Sequence, residues 1–187
     1  MARCAMMVEA SASNDSRPMK TVILRVIALV VLLLVPSALV RASPVKPVPA
    51  PAWKLKDVDG KVVTWDQFKG KVVVLDFWAT WCPPCRTEIP GYIALQKKYA
   101  ADGLVIVGIS LDTDGPEVVR KFMKDIGINY PVVIADDQVQ ELFAPIDGIP
   151  TTFIIDRDGL IRDKKVGREP SDEYEKAILA ILKPHAA

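Results

Sequence analysis

The chain has 187 residues, of which half are hydrophobic and a quarter are charged, and its formal net charge is +1. This length predicts one compact domain with extensions, and the near-zero charge gives no electrostatic basis for binding nucleic acid. The single histidine, His185, lies three residues from the end, which excludes Cys–His nucleophilic catalysis and histidine-rich metal sites.

An apolar run near the N-terminus predicts export. Residues 26–35 form an unbroken apolar stretch, which is too short for a membrane span of about 20 residues but suits a signal peptide. Small residues place a cleavage site after Ala42. We therefore interpret residues 1–42 as a signal peptide, with Met19 as a candidate start, or as an N-terminal membrane anchor that tethers the protein through residues 22–40. Either interpretation places the rest in the periplasm or on the outer face of the cytoplasmic membrane.

Residues 43–52 follow as a proline-rich linker, with prolines at four of the positions 44–51. Such a composition favours an extended, semi-rigid spacer. The globular domain is predicted to occupy residues 53–187.

The first half of this domain alternates strand and helix patterns. An Asp-Gly turn between short extended runs predicts a hairpin near residues 53–65. A nearly continuous apolar run predicts a buried strand at residues 71–79. Residues 83–101 start with prolines and continue at helical spacing, and Pro90 predicts a kink in that helix. A second buried strand is predicted at residues 103–112.

The second half adds helices and a hairpin. Residues 116–127 start with proline and stop at glycine, as helices do. A short helix capped by Asp136 is predicted near residues 137–144. A hairpin at residues 151–167 and a C-terminal helix at residues 170–183 complete the domain. The order predicts an α/β fold with a sheet covered by helices on both faces.

Two cysteines separated by two prolines lie where the first buried strand leads into a helix. A structural disulfide between Cys82 and Cys85 would close a very small loop and stabilise little, and a metal site needs about four ligands. Amides and the dipole at the helix N-terminus favour a thiolate on Cys82, which is the attacking species in thiol–disulfide exchange. Pro83 and Pro84 lack N–H groups, and they limit the donors that reach the sulfur. We therefore favour catalysis, with Cys82 exposed and Cys85 behind it.

The segment VVVLDFWATWCPPCRTEIP, residues 72–90, resembles the active site of the thioredoxin superfamily. It is most similar to the extracytoplasmic TlpA/ResA-like thiol–disulfide oxidoreductases of the redoxin, AhpC/TSA-like group. The similarity runs from about Trp53 to Lys183 and includes the later GIPTTFIIDRDGLI. It implies a thioredoxin fold, in which a central mixed sheet is flanked by helices, with an N-terminal hairpin and a central insertion at residues 113–145.

The resemblance assigns roles by position. Cys82 matches the nucleophile, Cys85 the resolving cysteine and Trp81 the tryptophan that shields the disulfide. Pro150 matches a cis-proline that turns the backbone of Ile149 toward the sulfurs, where it pairs with an extended client. The predicted client-contacting residues are Trp81, Pro83, Pro84, Ile149 and Pro150.

Two acids complete the predicted site. Asp76 lies in the apolar strand, where a carboxylate is costly unless it is paired or protonated, and it matches the buried aspartate of thioredoxins that accepts a proton from the deeper cysteine. Glu88 matches a glutamate near the cysteines of ResA-like proteins, with a solvated helix residue as the alternative. If both are buried near Cys85, their pKa values are raised and they can move protons.

The predicted function is reduction of protein disulfides outside the cytoplasm, with no cofactor beyond the Cys82–Cys85 disulfide and no metal. The resemblance suggests clients such as apocytochrome c or the copper-site cysteines of an oxidase, and a membrane dithiol as the electron donor. Two alternatives stay open, a copper-binding thiol chaperone and a thiol peroxidase of the peroxiredoxin branch. The peroxidase requires a threonine before an isolated cysteine, where this chain has Trp81.

Overall fold

The computed structural model describes residues 48–182, and eight strands within this range form one mixed sheet. The predicted signal peptide or anchor, its cleavage site and His185 lie outside the described residues. In chain order the strands are β1 (Val48–Pro49), β2 (Lys54–Asp57), β3 (Val62–Thr64), β4 (Val72–Trp78), β5 (Leu104–Ser110), β6 (Val132–Ile134), β7 (Thr151–Ile155) and β8 (Leu160–Val166).

Four α-helices lie in the same range. They are α1 (Pro83–Tyr99), α2 (Pro116–Ile126), α3 (Asp137–Leu142) and α4 (Ser171–Leu182), with short 3-10 turns at Trp65–Phe68 and Ala100–Asp102. Between residues 48 and 182, none of the helices combines the length and the hydrophobicity needed to cross a membrane.

The order of strands across the sheet is β1-β8-β7-β4-β5-β6-β2-β3. Strands β4, β5 and β6 run parallel, and the remaining neighbouring pairs are antiparallel. This is the predicted α/β thioredoxin fold. Strand β4 lies between β5 and β7, and all seven of its residues are buried, as expected of a central strand covered on both faces.

Alternation along β4 sorts its side chains between two hydrophobic layers. Val72, Val74 and Trp78 join the layer that contains the buried side chains of α1, whereas Val73, Leu75 and Phe77 pack on the opposite face. Because successive strand residues point to opposite faces, Asp76 belongs on the α1 face with Cys85. The strand period therefore places the buried acid on the side of the cysteines.

Most predicted elements are confirmed, and two short strands were missed. Helix α1 continues through Pro90, and Asp136 caps α3 by accepting the amide of Val139 at 2.8 Å. The linker prediction for residues 43–52 differs from the structure in its second half, since β1 pairs with the hairpin strand β8. A strand of two residues at a sheet edge tolerates proline, so the composition alone did not distinguish it from a spacer. Strand β6, with three residues, was also not predicted.

Candidate active site

The two cysteines lie in the turn from β4 into α1. Cys82 is the N-cap residue of α1, with extended backbone angles. Its Sγ accepts a hydrogen bond from the backbone amide of Cys85 at 3.3 Å. Pro83 and Pro84 are the first two residues of the helix and have no N–H, so Cys85 provides the first helical amide that can reach the sulfur. This geometry agrees with the prediction that an amide at the N-terminus of the helix donates to the Cys82 sulfur.

Cys82 and Cys85 form a disulfide, with Cα atoms 5.4 Å apart. The prediction that Cys82 is exposed is wrong for this oxidised form, since its exposed fraction is 4% and that of Cys85 is 1%. The reason is that the Cys82 sulfur is covered by the helix amide of Cys85 and by the loop before β7. The exposed neighbour is Trp81, at 63%.

The loop before β7 brings the predicted proline to the sulfurs. The Ile149–Pro150 peptide bond is cis, as predicted, and the Ile149 carbonyl oxygen lies 3.7 Å from Cys82 Sγ. Thr151 donates a hydrogen bond to the Gly148 carbonyl at 2.6 Å, which closes the loop on itself. Pro150 is buried and Ile149 is half-buried, while Pro83 and Pro84 are exposed. The predicted client-contacting residues therefore border one disulfide.

Asp76 is buried, as its place in the strand required, with an exposed fraction of 2%. Its Oδ1 accepts a hydrogen bond from Thr152 at 3.3 Å. Burial, and to a smaller extent the nearby charge of Glu88, raise the pKa of Asp76 to about 8, against the opposing effect of the hydrogen bond from Thr152. A carboxyl group with this pKa can exchange a proton near neutral pH.

Glu88 is also buried, with an exposed fraction of 6%, so the solvated alternative is wrong. Its Oε1 accepts the backbone amide of Glu169 at 2.6 Å, while its buried Oε2 has no hydrogen-bond partner among residues 48–182. Burial raises the pKa of Glu88 to about 7, against the opposing effects of the Glu169 amide and the Arg168 charge. Both acids are therefore buried and have raised pKa values, as expected.

Asp112 was not predicted from the sequence, although it anchors the cysteine turn. It is buried, and its Oδ2 accepts the Thr80 amide at 3.0 Å and the Ser110 hydroxyl at 2.8 Å. The Thr80 hydroxyl donates to its other oxygen at 2.5 Å. The available signal was an acid two residues after the buried strand β5, at the end of the sheet where the parallel β4 also ends.

A group of three buried hydroxyls was also missed. The Tyr174 hydroxyl donates to Thr152 Oγ1 at 3.0 Å, and the Tyr92 hydroxyl lies 3.1 Å from the same atom. The two tyrosine rings meet edge to face, with centroids 5.4 Å apart. Burial raises the pKa of Tyr174 to about 12 and that of Tyr92 well above its usual value, so both hydroxyls are neutral.

A cavity of about 230 Å³ opens beside this group. Its lining residues belong to α1, to the segment before α4 and to the first turn of α4, and they include Glu88, Tyr92, Arg168, Ser171 and Tyr174. Polar side chains thus line a path from the surface to Glu88 and the tyrosine pair.

Within the described part of the chain, no group of three or more His, Cys, Asp or Glu side chains is arranged to hold a metal ion. The chemistry on offer is that of one dithiol with two buried carboxyl groups. Such a site can exchange a disulfide for two thiols and transfer the accompanying protons.

Comparisons with known proteins agree with this chemistry. The model of the AhpC/TSA family matches residues 48–164. The chain is 35% identical over 129 residues to the thiol-disulfide oxidoreductase ResA of Bacillus anthracis, covering 67% of this chain and 72% of that protein. It is 40% identical over 114 residues to ResA of Bacillus subtilis, covering 60% of this chain and 62% of that protein.

Solved structures of thiol–disulfide proteins are also similar to this chain. A thiol:disulfide interchange protein of the thioredoxin family from Chlorobium tepidum superposes with a TM-score of 0.69 at 36% identity, covering 75% of this chain and 100% of that one. A thioredoxin domain of a thiol-disulfide oxidoreductase from Bacteroides vulgatus superposes with a TM-score of 0.65 at 27% identity, covering 74% of this chain and 99% of that one.

Proposed function

Because the chain belongs to the AhpC/TSA family and is a ResA/TlpA-like thiol–disulfide oxidoreductase of the thioredoxin superfamily, we propose that it reduces protein disulfides outside the cytoplasm. The observation that carries this proposal is the position of Cys82 at the N-cap of α1, where the Cys85 amide donates to its sulfur. The signal-peptide-like or anchor-like residues 1–42 support the extracytoplasmic location.

The first step uses Cys82 as the nucleophile. In the dithiol form, the helix amide stabilises the Cys82 thiolate, which attacks one sulfur of a client disulfide. The client S–S bond breaks, a mixed disulfide forms between Cys82 and the client, and the departing client thiolate takes up a proton.

The second step uses Cys85 and the buried acids. The Cys85 thiol gives its proton to the Asp76 carboxylate and attacks Cys82 Sγ, so the Cys82–Cys85 disulfide forms and the second client thiolate leaves. Overall, two electrons pass from the enzyme dithiol to the client disulfide. The Cys82 proton went to solvent when the thiolate formed, the Cys85 proton is on Asp76, and the two client thiolates take up protons from solvent. A membrane dithiol donor then returns the enzyme to the reduced form.

Contacts around the disulfide support a protein client. The Ile149 backbone, turned toward Cys82 by the cis bond, offers hydrogen-bonding groups to an extended client segment. Trp81, Pro83 and Pro84 are exposed beside it and offer apolar contact area. The resemblance to ResA-like proteins suggests cysteines of apocytochrome c or of an oxidase copper site as clients.

The direction of electron transfer follows from the negative charges near the deeper cysteine. A thiolate is disfavoured beside buried carboxylates, and opposing the thiolate destabilises the dithiol relative to the disulfide. Asp76 and Glu88 lie on the face of the sheet that carries Cys85, so they oppose the deeper thiolate most directly. We therefore assign electron flow from enzyme to client.

The test is the reduction potential of the purified protein in a Cys4→Ser background, measured beside reduction of insulin. We expect a potential near that of thioredoxin, about −270 mV, with insulin reduction lost in Cys82→Ser and in Cys85→Ser. Cys85→Ser should also retain clients as mixed disulfides. A potential near that of a disulfide donor, about −120 mV, would contradict the reductase assignment. Tight Cu(I) binding or peroxide consumption without insulin reduction would favour the chaperone or the peroxidase.

A further inference from the structure

Asp76 and Thr152 are direct neighbours across the sheet. In the antiparallel pairing of β4 with β7, Asp76 is opposite Thr152, and both side chains are buried. Side chains opposite each other in such a pair lie on the same face and within reach. The hydrogen bond from the Thr152 hydroxyl to the Asp76 carboxylate follows from this register.

While Asp76 is ionised, the hydrogen bonds of Thr152 have a single consistent arrangement. A threonine hydroxyl donates once and accepts twice. Its one donated bond goes to Asp76, so both tyrosine hydroxyls must donate to it, which agrees with the 3.0 Å and 3.1 Å contacts of Tyr174 and Tyr92. The three hydroxyls thus form a continuous chain that ends on the carboxylate.

The other end of this chain lies at the cavity. Tyr92 and Tyr174 both line it, as does Glu88. Glu88 influences Asp76 through its charge, but no hydrogen bond joins the two carboxyl groups within residues 48–182. The hydroxyl chain is therefore the hydrogen-bonded connection between Asp76 and the cavity.

We propose that Thr152, together with Tyr92 and Tyr174, is a proton relay between Asp76 and the cavity beside Glu88. The proposal rests on the proposed function, in which Asp76 accepts the proton of Cys85. Thr152 and the tyrosines do not contact the reacting sulfurs in this scheme, and they act as positioning and relay residues through Asp76.

The proton transfers of the relay balance, because each hydroxyl group gives up one proton and receives one. Protonated Asp76 gives its proton to Thr152 Oγ1 while the Thr152 hydroxyl proton moves to a tyrosine oxygen, and that tyrosine releases its own proton to solvent in the cavity. One proton leaves Asp76, one enters the cavity, each hydroxyl stays neutral, and the hydrogen bonds reverse direction. The reverse sequence protonates Asp76.

Four other titratable groups also influence Asp76, and they come from three parts of the fold. Glu88 and Tyr92 come from α1, Tyr174 comes from α4, and Tyr130 precedes β6. The three tyrosines remain neutral because burial raises their pKa values. Among these four groups, Glu88 is thus the one whose charge changes in the same pH range as that of Asp76.

The first arm of the test removes and restores the hydroxyl at position 152. Thr152→Val loses the bond that favours ionised Asp76, so the Asp76 carboxyl titration, followed by ¹³C NMR, should move upward by about one pH unit. Resolution of the mixed disulfide at pH 7 should then slow about tenfold, because the ionised fraction of Asp76 falls by that factor. Thr152→Ser should restore both, and Thr151→Val, which removes a neighbouring buried hydroxyl bonded to Gly148, should leave the Asp76 titration unchanged.

The second arm tests the link to the cavity. Prereduced protein carrying Cys4→Ser reacts once with dithiobis(nitrobenzoate), whose leaving thiolates stay unprotonated, and a pH-indicator dye reports the protons released. In the wild type, proton release should keep pace with closure of the Cys82–Cys85 disulfide. In the double variant Tyr92→Phe and Tyr174→Phe, release should lag severalfold behind closure.

Each outcome separates the relay from the underlying activity. If Thr152→Ser behaves like Thr152→Val, or if Thr152→Val leaves the titration and the resolution rate unchanged, Thr152 does not act through its hydroxyl. If the double tyrosine variant releases protons without a lag, the cavity is not the exit. If the wild type forms no mixed disulfide through Cys82, the proposed function itself fails. If Thr152→Val prevents folding, Thr152→Ala removes the same hydroxyl and carries the same expected outcomes. If the double tyrosine variant prevents folding, Tyr92→Phe and Tyr174→Phe are measured singly, and a lag in neither would contradict the relay.

Discussion

At the scale of single residues, Asp112 is the side chain that fixes the turn before Cys82, the proposed nucleophile. It accepts hydrogen bonds from the Thr80 amide, the Thr80 hydroxyl and the Ser110 hydroxyl. These donors come from the end of β4 and the end of β5, which are paired at Trp78 and Ser110. The carboxylate therefore joins the cysteine turn to the neighbouring parallel strand.

Asp112→Ala should destabilise the protein and weaken its activity together. It leaves the Thr80 amide and the Ser110 hydroxyl without their acceptor, at a cost of about 1–3 kcal/mol for each buried group left unsatisfied. Urea unfolding should show a free energy of unfolding lower by about 2–4 kcal/mol, and insulin reduction should fall because Cys82 is positioned less firmly. Thr80→Val, which keeps the amide bond, is the matched control with the smaller loss. Equal stability of Asp112→Ala and the wild type would contradict this role.

The residues of the site differ in how far the sequence predicted them. Cys82, Cys85 and Asp76 lie within one strand and one turn, so a short segment contained them all. Pro150 was predicted from the resemblance, since the residues alone suggested the entry to a strand. Thr152 could not be predicted, because its role depends on the pairing register that places it opposite Asp76, 76 positions away.

At the scale of elements, the packing of β4 against β5 depends on a glycine. Gly108 is paired with Asp76 in the parallel register, and a Cβ at this position would lie 2.8 Å from Trp78 Nε1 and 3.4 Å from Val132 Cγ2. The Trp78 ring is fully enclosed and packs against Phe122 of α2, with centroids 5.5 Å apart. The indole has no room to move aside without disturbing that contact.

Gly108→Ala should therefore destabilise the fold by overpacking, by about 1–3 kcal/mol. Near-UV circular dichroism should change, because Trp78 must rotate or shift, and urea unfolding gives the magnitude. Gly148→Ala is the control for stability, since a Cβ there meets no atom within 4 Å and the glycine φ is not in the left-handed region. A stability for Gly108→Ala that matches Gly148→Ala would show that the Trp78 site relaxes freely.

Elements were predicted well where their pattern was long and poorly where it was short. The apolar runs of β4 and β5 are strong local signals, and so are the proline that begins α2 and the glycine that ends it. Strands β1 and β6, with two and three residues, exist because neighbouring strands offer free hydrogen-bonding groups. Their formation is a property of the assembled sheet, which no local window contains.

At the scale of the whole molecule, the site imposes a cost on stability that depends on pH. The pKa of Asp76 rises from 3.8 to about 8 and that of Glu88 from 4.5 to about 7 on folding, mainly through burial. At pH values between the unfolded-state and folded-state pKa values of these acids, the folded protein binds more protons than the unfolded chain. The free energy of unfolding therefore falls as pH rises, and the stability present below pH 4 is lost progressively until the folded-state pKa values are passed.

The last prediction follows from this linkage. For the oxidised protein, urea unfolding should give a free energy of unfolding that decreases by several kcal/mol between pH 4 and pH 9. Asp76→Asn removes the larger of the two shifts, so its curve should be flatter and should lie above that of the wild type at pH 9, where the wild type must hold a buried charge. Glu88→Gln should flatten the curve less. A wild-type stability that rises from pH 5 to pH 8 would mean that the buried acids are compensated by partners in the folded state, and the proton chemistry assigned to Asp76 would lose its basis.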